Sequence, residues 1–194
     1  MHLETTPLGE YRPCCLAEES IKRPDGTPYD ISKGDTIKDA FNSQYMENMR
    51  NEFLQGGQPE TCSKCWSLEE AGGTSKRMIS NEKFGINTDE KGITFLDLKL
   101  GNICNLKCRI CGVHHSSAWA KDNHTFRNMN NDIKFKDSFA YKLTQSCDWI
   151  DDPKFWNDLE QMESLKYLHF MGGEPFMVPE HFQLIQALVD NPDI

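Results

Sequence analysis

The chain has 194 residues, 38% of them hydrophobic, and its 30 acidic and 21 basic residues give a formal net charge of −9. This length and hydrophobic content suit one ordinary domain or two small ones with a core of moderate size. The negative charge argues against nucleic-acid binding, because phosphates repel an acidic surface. The sequence also lacks any run of about 20 apolar residues, so no membrane association is expected.

The chain contains eight cysteines. Its start, MHLETTPLGE, lacks the basic flank and apolar stretch of a secretory signal, so a cytoplasmic location is expected. Thiols stay reduced there, which favours metal binding or redox chemistry over disulfides. Seven cysteines fall into three groups, and Cys147 stands alone as an expected inert, buried thiol. The grouping predicts two metal centres.

Residues 1–90 are predicted to be mainly helical and irregular. The adjacent Cys14 and Cys15 come first, and Cys62 and Cys65 follow in CSKC. Between these pairs, apolar side chains recur every four residues and predict one amphipathic helix that packs on the core: Ile37, Phe41, Tyr45, Met49 and Phe53. This helix would return the chain to its starting point, so that both cysteine pairs meet at one site.

Capping residues and glycines mark the predicted ends of these segments. Asp35 or Thr36 is the predicted cap of the helix and Gly56 its stop. Residues 69–92 are polar and rich in glycine, which predicts a loop or linker with at most a short helix. A domain boundary is therefore placed near residue 90.

Residues 91–194 alternate between strand and helix patterns. Residues 93–100 predict a strand with Leu96, Leu98 and Leu100 on one face, and the cysteine loop GNICNLKCRICG follows it. Next come a helix at 113–120 and a helix after the cap Asp152. A strand at 165–171, the turn GGEP and a final helix follow. That last helix has these apolar residues on one side: Phe182, Ile185, Leu188 and Val189.

This βαβα order predicts an α/β fold with parallel strands. The cysteine loop and the glycine turn each follow a strand, so both are expected at the same edge of the sheet. Ligands commonly bind at that edge in α/β proteins.

The spacing of Cys104, Cys108 and Cys111 is suited to an iron–sulfur cluster, because one compact loop can wrap three corners of a cube. The fourth iron would then have no protein ligand and could bind a small molecule. The alternative is a zinc knuckle whose fourth ligand is remote. Its candidate ligands are His114, His115 and Cys147.

The cysteine loop and the GGEP turn together resemble the radical S-adenosylmethionine (radical SAM) superfamily. The resemblance implies a partial (β/α) barrel, with residues 91–194 forming its first two βα units. It implies a [4Fe-4S] cluster on Cys104, Cys108 and Cys111 whose open iron binds S-adenosylmethionine (SAM). Reductive cleavage of SAM would give a 5′-deoxyadenosyl radical that abstracts hydrogen from a substrate. By resemblance, the SAM-contacting residues are Ile110, Gly172, Gly173, Glu174 and Pro175.

The upstream cysteines resemble the SPASM and twitch auxiliary-cluster modules of many radical SAM enzymes, although here the module precedes the barrel. The resemblance implies an auxiliary iron–sulfur cluster on Cys14, Cys62 and Cys65, with Cys15 as an additional candidate ligand. A structural zinc site is the alternative. Lys76 and Arg77 are interpreted as a solvated charge pair or as electrostatic support for an anionic cluster.

The sequence shows fewer βα units than a complete barrel of this family, so we expect a fragment or a truncated product with an exposed sheet edge. The leading hypothesis is a radical SAM enzyme, an oxidoreductase or transferase acting on a peptide or protein substrate. Its reductant would be a protein such as flavodoxin or ferredoxin. The alternatives are an iron–sulfur electron-transfer protein without catalytic activity and a zinc-stabilised binding module.

Overall fold

The computed structural model describes residues 1–85, 92–113, 115–129 and 152–190. These residues form a mixed α/β fold around a four-stranded sheet. The strands are β1 (His2–Thr5), β2 (Tyr11–Arg12), β3 (Phe95–Lys99) and β4 (Tyr167–Met171). Their order across the sheet is β2-β1-β3-β4; β1, β3 and β4 are parallel, and β2 is antiparallel to β1. The predicted α/β class is therefore confirmed.

Seven α-helices are described. They are α1 (Ile37–Phe41), α2 (Gln44–Leu54), α3 (Ser63–Glu70), α4 (Lys76–Phe84), α5 (Ala120–Met129), α6 (Pro153–Glu160) and α7 (Pro179–Asp190). Short 3₁₀ turns occupy Ile31–Lys33, Glu60–Cys62, Ser117–Trp119 and Pro175–Met177. No helix in the described ranges is long and apolar enough to cross a membrane.

The two faces of the sheet differ in polarity. Leu3, Leu96 and Leu98 point to one face, where they join the main core with side chains from α1, α2, α6 and α7. The predicted face of Leu96, Leu98 and Leu100 is thus confirmed as a core face. The opposite face carries His2, Glu4, Asp97, Lys99 and His169 on adjacent strands.

The sheet crosses the predicted boundary near residue 90. Strand β1, which the sequence did not reveal, pairs with β3 in register His2↔Phe95, Leu3↔Leu96 and Glu4↔Asp97. The hydrophobic core also mixes side chains from both predicted segments. Residues 86–91, where the boundary was placed, lie outside the described residues.

The predicted helix over Ile37–Phe53 is wrong in one respect, since it is two helices. Asn42 ends α1, and Ser43 begins α2 by accepting a hydrogen bond from Met46 N while donating one to the Ala40 carbonyl. These bonds satisfy backbone groups at both helix ends and stabilise the break. The predicted cap Thr36 is confirmed, because it forms a capping box with Asp39.

The polar stretch after Cys65, predicted to be a loop or linker with a short helix, contains the nine-residue helix α4. Two other segments differ from prediction. The helix predicted at 113–120 is instead a 3₁₀ turn at Ser117–Trp119 that leads into α5. In α7, the buried side chains are His181 and Leu184, whereas Phe182, Ile185 and Val189 are exposed.

Helix α6 begins as predicted, with Asp152 as its cap and Pro153 in its first turn. Its Asp158 carboxylate reaches α1 and accepts a hydrogen bond of 2.6 Å from Ile37 N. The carboxylate therefore satisfies a free N–H at the positive end of another helix.

Replacing Asp158 with alanine should lower the free energy of unfolding by about 1 to 2 kcal/mol, because the Ile37 N–H would lose its acceptor. Urea denaturation measures this loss. Glu160→Ala, on the exposed side of the same helix, is the matched control and should change stability little. Equal effects of the two substitutions would contradict the capping role of Asp158.

Candidate functional site

The upstream cysteines and the cysteine loop lie at opposite ends of the parallel strands. The loop with Cys104, Cys108 and Cys111 follows the carboxyl end of β3, whereas antiparallel β2 carries the chain back toward the start of β1 before Cys14 and Cys15. Lys76, which contacts Cys15, also lies 5.3 Å from the ring of Phe95, the first residue of β3. Five residues of strand at about 3.3 Å each place roughly 16 Å between the two ends.

The cysteine loop is braced by polar contacts on both sides of its thiols. Ser117 Oγ accepts a hydrogen bond from Cys104 N at 3.1 Å, and Ser116 Oγ donates to the Leu106 carbonyl at 2.6 Å. The buried Asn102 donates to the Val113 carbonyl at 2.9 Å and so closes the base of the loop. Cys111 N donates to the Cys108 carbonyl at 3.0 Å, which forms a turn between the last two cysteines.

The glycine turn after β4 packs directly against this loop. Glu174 N donates a hydrogen bond of 2.7 Å to the Ile103 carbonyl, the residue before Cys104. Gly172 and Gly173 both have positive φ, at 84° and 50°. A Cβ on Gly173 would lie 2.3 Å from that same carbonyl oxygen, so only glycine permits the approach. The predicted meeting of the two motifs at one sheet edge is confirmed.

Two of the predicted SAM-contacting side chains have clear positions. The Glu174 carboxylate caps the 3₁₀ turn Pro175–Met177 by accepting from Phe176 N at 3.2 Å through Oε1. Ile110 is 96% exposed beside Cys111.

The upstream cysteines come together from three segments of the chain. Cys14 follows β2, Cys62 ends the 3₁₀ turn at Glu60–Cys62, and Cys65 lies buried on α3. Trp66 Nε1 donates to the Pro59 carbonyl at 3.1 Å and fixes the start of α3 against the preceding turn. The predicted convergence of Cys14 with Cys62 and Cys65 is supported by their electrostatic influence on one another.

This convergence affects ionisation of the thiols. Burial, reinforced by the nearby sulfur atoms of Cys14 and Cys65, raises the pKa of Cys62 to about 12. Burial also raises the pKa of Cys14, against the opposing hydrogen bonds from Leu16 and Ala17 N–H groups. Without a bound cation, these thiols are therefore protonated at neutral pH. A metal would displace those protons, since thiolates are the coordinating form.

Lys76 and Arg77 have different partners, so they are not a simple solvated pair. Lys76 Nζ lies 2.6 Å from Cys15 Sγ. Burial lowers the pKa of Lys76, but this hydrogen bond and the negative charges of Cys15, Asp97 and Cys14 together outweigh burial, so the pKa is raised. Arg77 pairs with Glu69 and stacks 4.2 Å above the Trp66 ring. A positive charge thus contacts one sulfur of the upstream group.

The side chains are not arranged in a coordination shell. Within residues 1–85, 92–113, 115–129 and 152–190, no three His, Cys, Asp or Glu side chains are positioned to hold a metal ion. The donor set still fits an iron–sulfur cluster in kind, because all seven described cysteines are free thiols and three of them share one braced loop. His114 and Cys147, the candidate zinc ligands, lie outside the described residues. His115 is exposed.

A buried polar cluster that was not predicted from the sequence lies on the polar face of the sheet, opposite the main core. Asp97 is fully buried, and neither of its carboxylate oxygens has a hydrogen-bond partner among the described residues. His169 Nδ1 lies 3.5 Å from one oxygen and His2 Nε2 lies 3.9 Å from the other. Lys99 pairs with buried Glu4 beside them. The charged residues Asp97 and Lys99 within the apolar strand pattern were the signal that could have identified this cluster.

His2 is held neutral in this cluster. Burial lowers its pKa to about 3, and the positive charges of Lys76 and the N-terminal ammonium act in the same direction. The unfolded chain takes up this proton below pH 6.5, whereas the folded chain does not until about pH 3. Folding stability is therefore lost as pH falls below 6.5.

When the pH is lowered from 6.5 to 5, the neutral state of His2 in the fold should reduce the free energy of unfolding by about 2 kcal/mol. Urea denaturation at the two pH values measures this change in the wild type and in His2→Phe. The substitution keeps a ring that can stack on Phe95 and removes the proton site. The variant should lose about 2 kcal/mol less than the wild type, and equal losses would contradict the assignment.

Comparisons with protein-family models, with curated proteins and with solved structures each gave no match to this chain. The functional interpretation therefore depends on the residues and their geometry alone.

Proposed function

We propose that this chain is the SAM-cleaving part of a radical SAM enzyme, with a [4Fe-4S] cluster on Cys104, Cys108 and Cys111. The observation that carries the proposal is the backbone contact between the glycine turn and the cysteine loop. Glu174 N and the Ile103 carbonyl form a 2.7 Å hydrogen bond between the two motifs. An electron carrier needs no such turn beside its cluster.

When bound and reduced, the cluster would supply one electron to the sulfonium of SAM, so that the bond from sulfur to the 5′ carbon breaks and gives methionine and a 5′-deoxyadenosyl radical. The residues of the chain would position the cofactor. Gly172 and Gly173 bring the backbone of the turn close to the cysteine loop. Glu174 Oε2 accepts no hydrogen bond from the described residues and is available to the amino group of SAM. Exposed Ile110 provides an apolar surface for the adenine.

In the same proposal, Cys14, Cys62 and Cys65 hold an auxiliary iron–sulfur cluster in a SPASM- or twitch-like module. The ammonium of Lys76 at 2.6 Å from Cys15 Sγ supports this assignment, because it places a positive charge beside an anionic cluster. The parallel strands β3 and β4 would belong to the partial (β/α) barrel. The proposed substrate is a peptide or protein, and the proposed reductant is flavodoxin or ferredoxin in the cytoplasm.

The test is anaerobic reconstitution of the full chain with iron and sulfide. Iron and sulfide per chain are counted, and SAM with dithionite is then assayed for 5′-deoxyadenosine. Two clusters and formation of 5′-deoxyadenosine are expected. Zinc without sulfide would overturn the proposal, and two clusters without SAM binding would indicate an electron-transfer protein instead.

A further inference from the structure

The structure has a cavity of about 230 Å³ at the end of the sheet away from the cysteine loop. Helix α4 crosses the polar face there, and the cavity lies between that helix and the first residues of β3 and β4. Its walls include the rings of Phe84, Phe95 and Tyr167, and His169 lies beside them. Pockets that bind drug-sized ligands have volumes of about 300 to 1,000 Å³, so this smaller cavity suits a molecule with a single ring.

The aromatic walls are already arranged around one another. Phe95 and Tyr167 meet edge to face with ring centroids 5.1 Å apart, and Phe84 lies 5.7 Å from Tyr167. Such rings favour offset or edge-on packing with a further ring. The cavity is therefore suited to a flat aromatic ligand.

Two lysines give this cavity a positive rim. Lys83 Nζ lies 4.0 Å above the centre of the Tyr167 ring, and Lys76 Nζ lies 5.3 Å from that of Phe95. Neither ammonium has a carboxylate within 4.0 Å in the described part of the chain. Lys76 Nζ also lies 2.6 Å from Cys15 Sγ, so Lys83 is the ammonium whose charge is available for an anionic ligand.

His169 connects the cavity to the buried carboxylate of Asp97. The ring lines the cavity, and its Nδ1 faces Asp97 Oδ1 at 3.5 Å, so Nε2 lies on the other side of the ring. Asp97 is fully buried and both its oxygens are unsatisfied among the described residues, which is costly unless a donor is supplied. A ligand that engages Nε2 would fix His169 in place to donate Nδ1–H to Asp97.

We propose that this cavity binds a small aromatic carboxylate, with its ring against those of Phe84, Phe95 and Tyr167 and its carboxylate at Lys83. The site is separate from the cysteine loop, and the proposal does not depend on the proposed radical SAM function. It concerns binding alone and includes no chemical step.

Isothermal titration calorimetry of the full chain with benzoate tests the proposal. Benzamide has the ring without the charge, and acetate has the charge without the ring. Benzoate should bind, and each of the other two should bind about tenfold more weakly or not at all. Equal binding of benzamide, or no binding of benzoate, would overturn the proposal.

Lys83→Met keeps the aliphatic length and removes the charge, so it should weaken benzoate binding about tenfold. Lys38→Met is the matched control, because Lys38 is exposed on α1, which packs on the other face of the sheet. It should leave binding unchanged. Equal weakening by both substitutions would show non-specific charge attraction and would overturn the site.

Ser80→Phe is a second variant that does not depend on charge. Ser80 is a half-buried residue of α4 that lines the cavity, so a ring at this position should fill the space and abolish benzoate binding. The thermal unfolding midpoint reports whether the variant remains folded. Unchanged benzoate binding by folded Ser80→Phe would place the ligand elsewhere and contradict the proposal.

Discussion

Replacing Cys108 with alanine is expected to remove the cluster of the cysteine loop and leave the upstream one intact. Iron and sulfide per chain should fall by about half, and 5′-deoxyadenosine formation should fall to background, because a three-cysteine site has no spare ligand. Cys108 is the exposed member of the triplet, so the substitution leaves no cavity in the hydrophobic core. The effect on folding of the cluster-free chain should accordingly be small.

Cys62→Ala provides the reciprocal measurement. It should remove the upstream cluster and retain the cluster of the loop, because the two groups lie at opposite ends of the strands. Electron paramagnetic resonance of the reduced proteins distinguishes the two signals. Loss of both clusters in either single variant would contradict the division into two sites.

Gly173→Ala is expected to separate the glycine turn from the cysteine loop. The new Cβ would lie 2.3 Å from the Ile103 carbonyl oxygen, at a residue whose φ is +50°. The left-handed conformation costs an alanine about 1 to 2 kcal/mol, and overpacking costs about 1 to 3 kcal/mol more. We therefore expect the free energy of unfolding to fall by about 3 kcal/mol and SAM binding to be lost.

Gly26→Ala distinguishes the cost of the left-handed conformation from the cost of overpacking. Gly26 has φ of +85°, but a Cβ there would meet nothing within 4 Å, so only the conformational cost of about 1 kcal/mol should appear. Urea denaturation and SAM titration of both variants give the comparison. If Gly173→Ala cost no more than Gly26→Ala, the tight contact between turn and loop would be wrong. If it were destabilised but bound SAM normally, the turn would have no part in the SAM site.

Local sequence signals predicted the elements whose patterns are strong. Leu96, Leu98 and Leu100 marked β3, since alternate residues of a strand share a face. Asp152 and Pro153 marked the start of α6, because capping needs only neighbouring backbone groups.

The features that were not predicted from the sequence share one physical cause. Each depends on contacts between residues that are far apart in the chain. Strand β1 has four residues, too few for a clear alternation, and its pairing partner in β3 is more than 90 residues away in sequence. The exposure of the apolar side of α7 was not predictable from the sequence either. The burial of Leu184 and His181 depends on which side of the helix packs against the core. Periodicity alone does not specify that orientation.

For the candidate sites, the sequence by itself determined the ligand types and their spacing in the chain. Cys104, Cys108 and Cys111 are close because they share one loop, and two glycines precede Glu174 whatever the fold. Tertiary structure alone decided which groups meet. Parallel pairing of β3 with β4 brings the turn onto the loop, and antiparallel β2 sends Cys14 and Cys15 to the other end of the sheet. The direction of each strand sets these positions, and it follows from pairing between residues far apart in the chain.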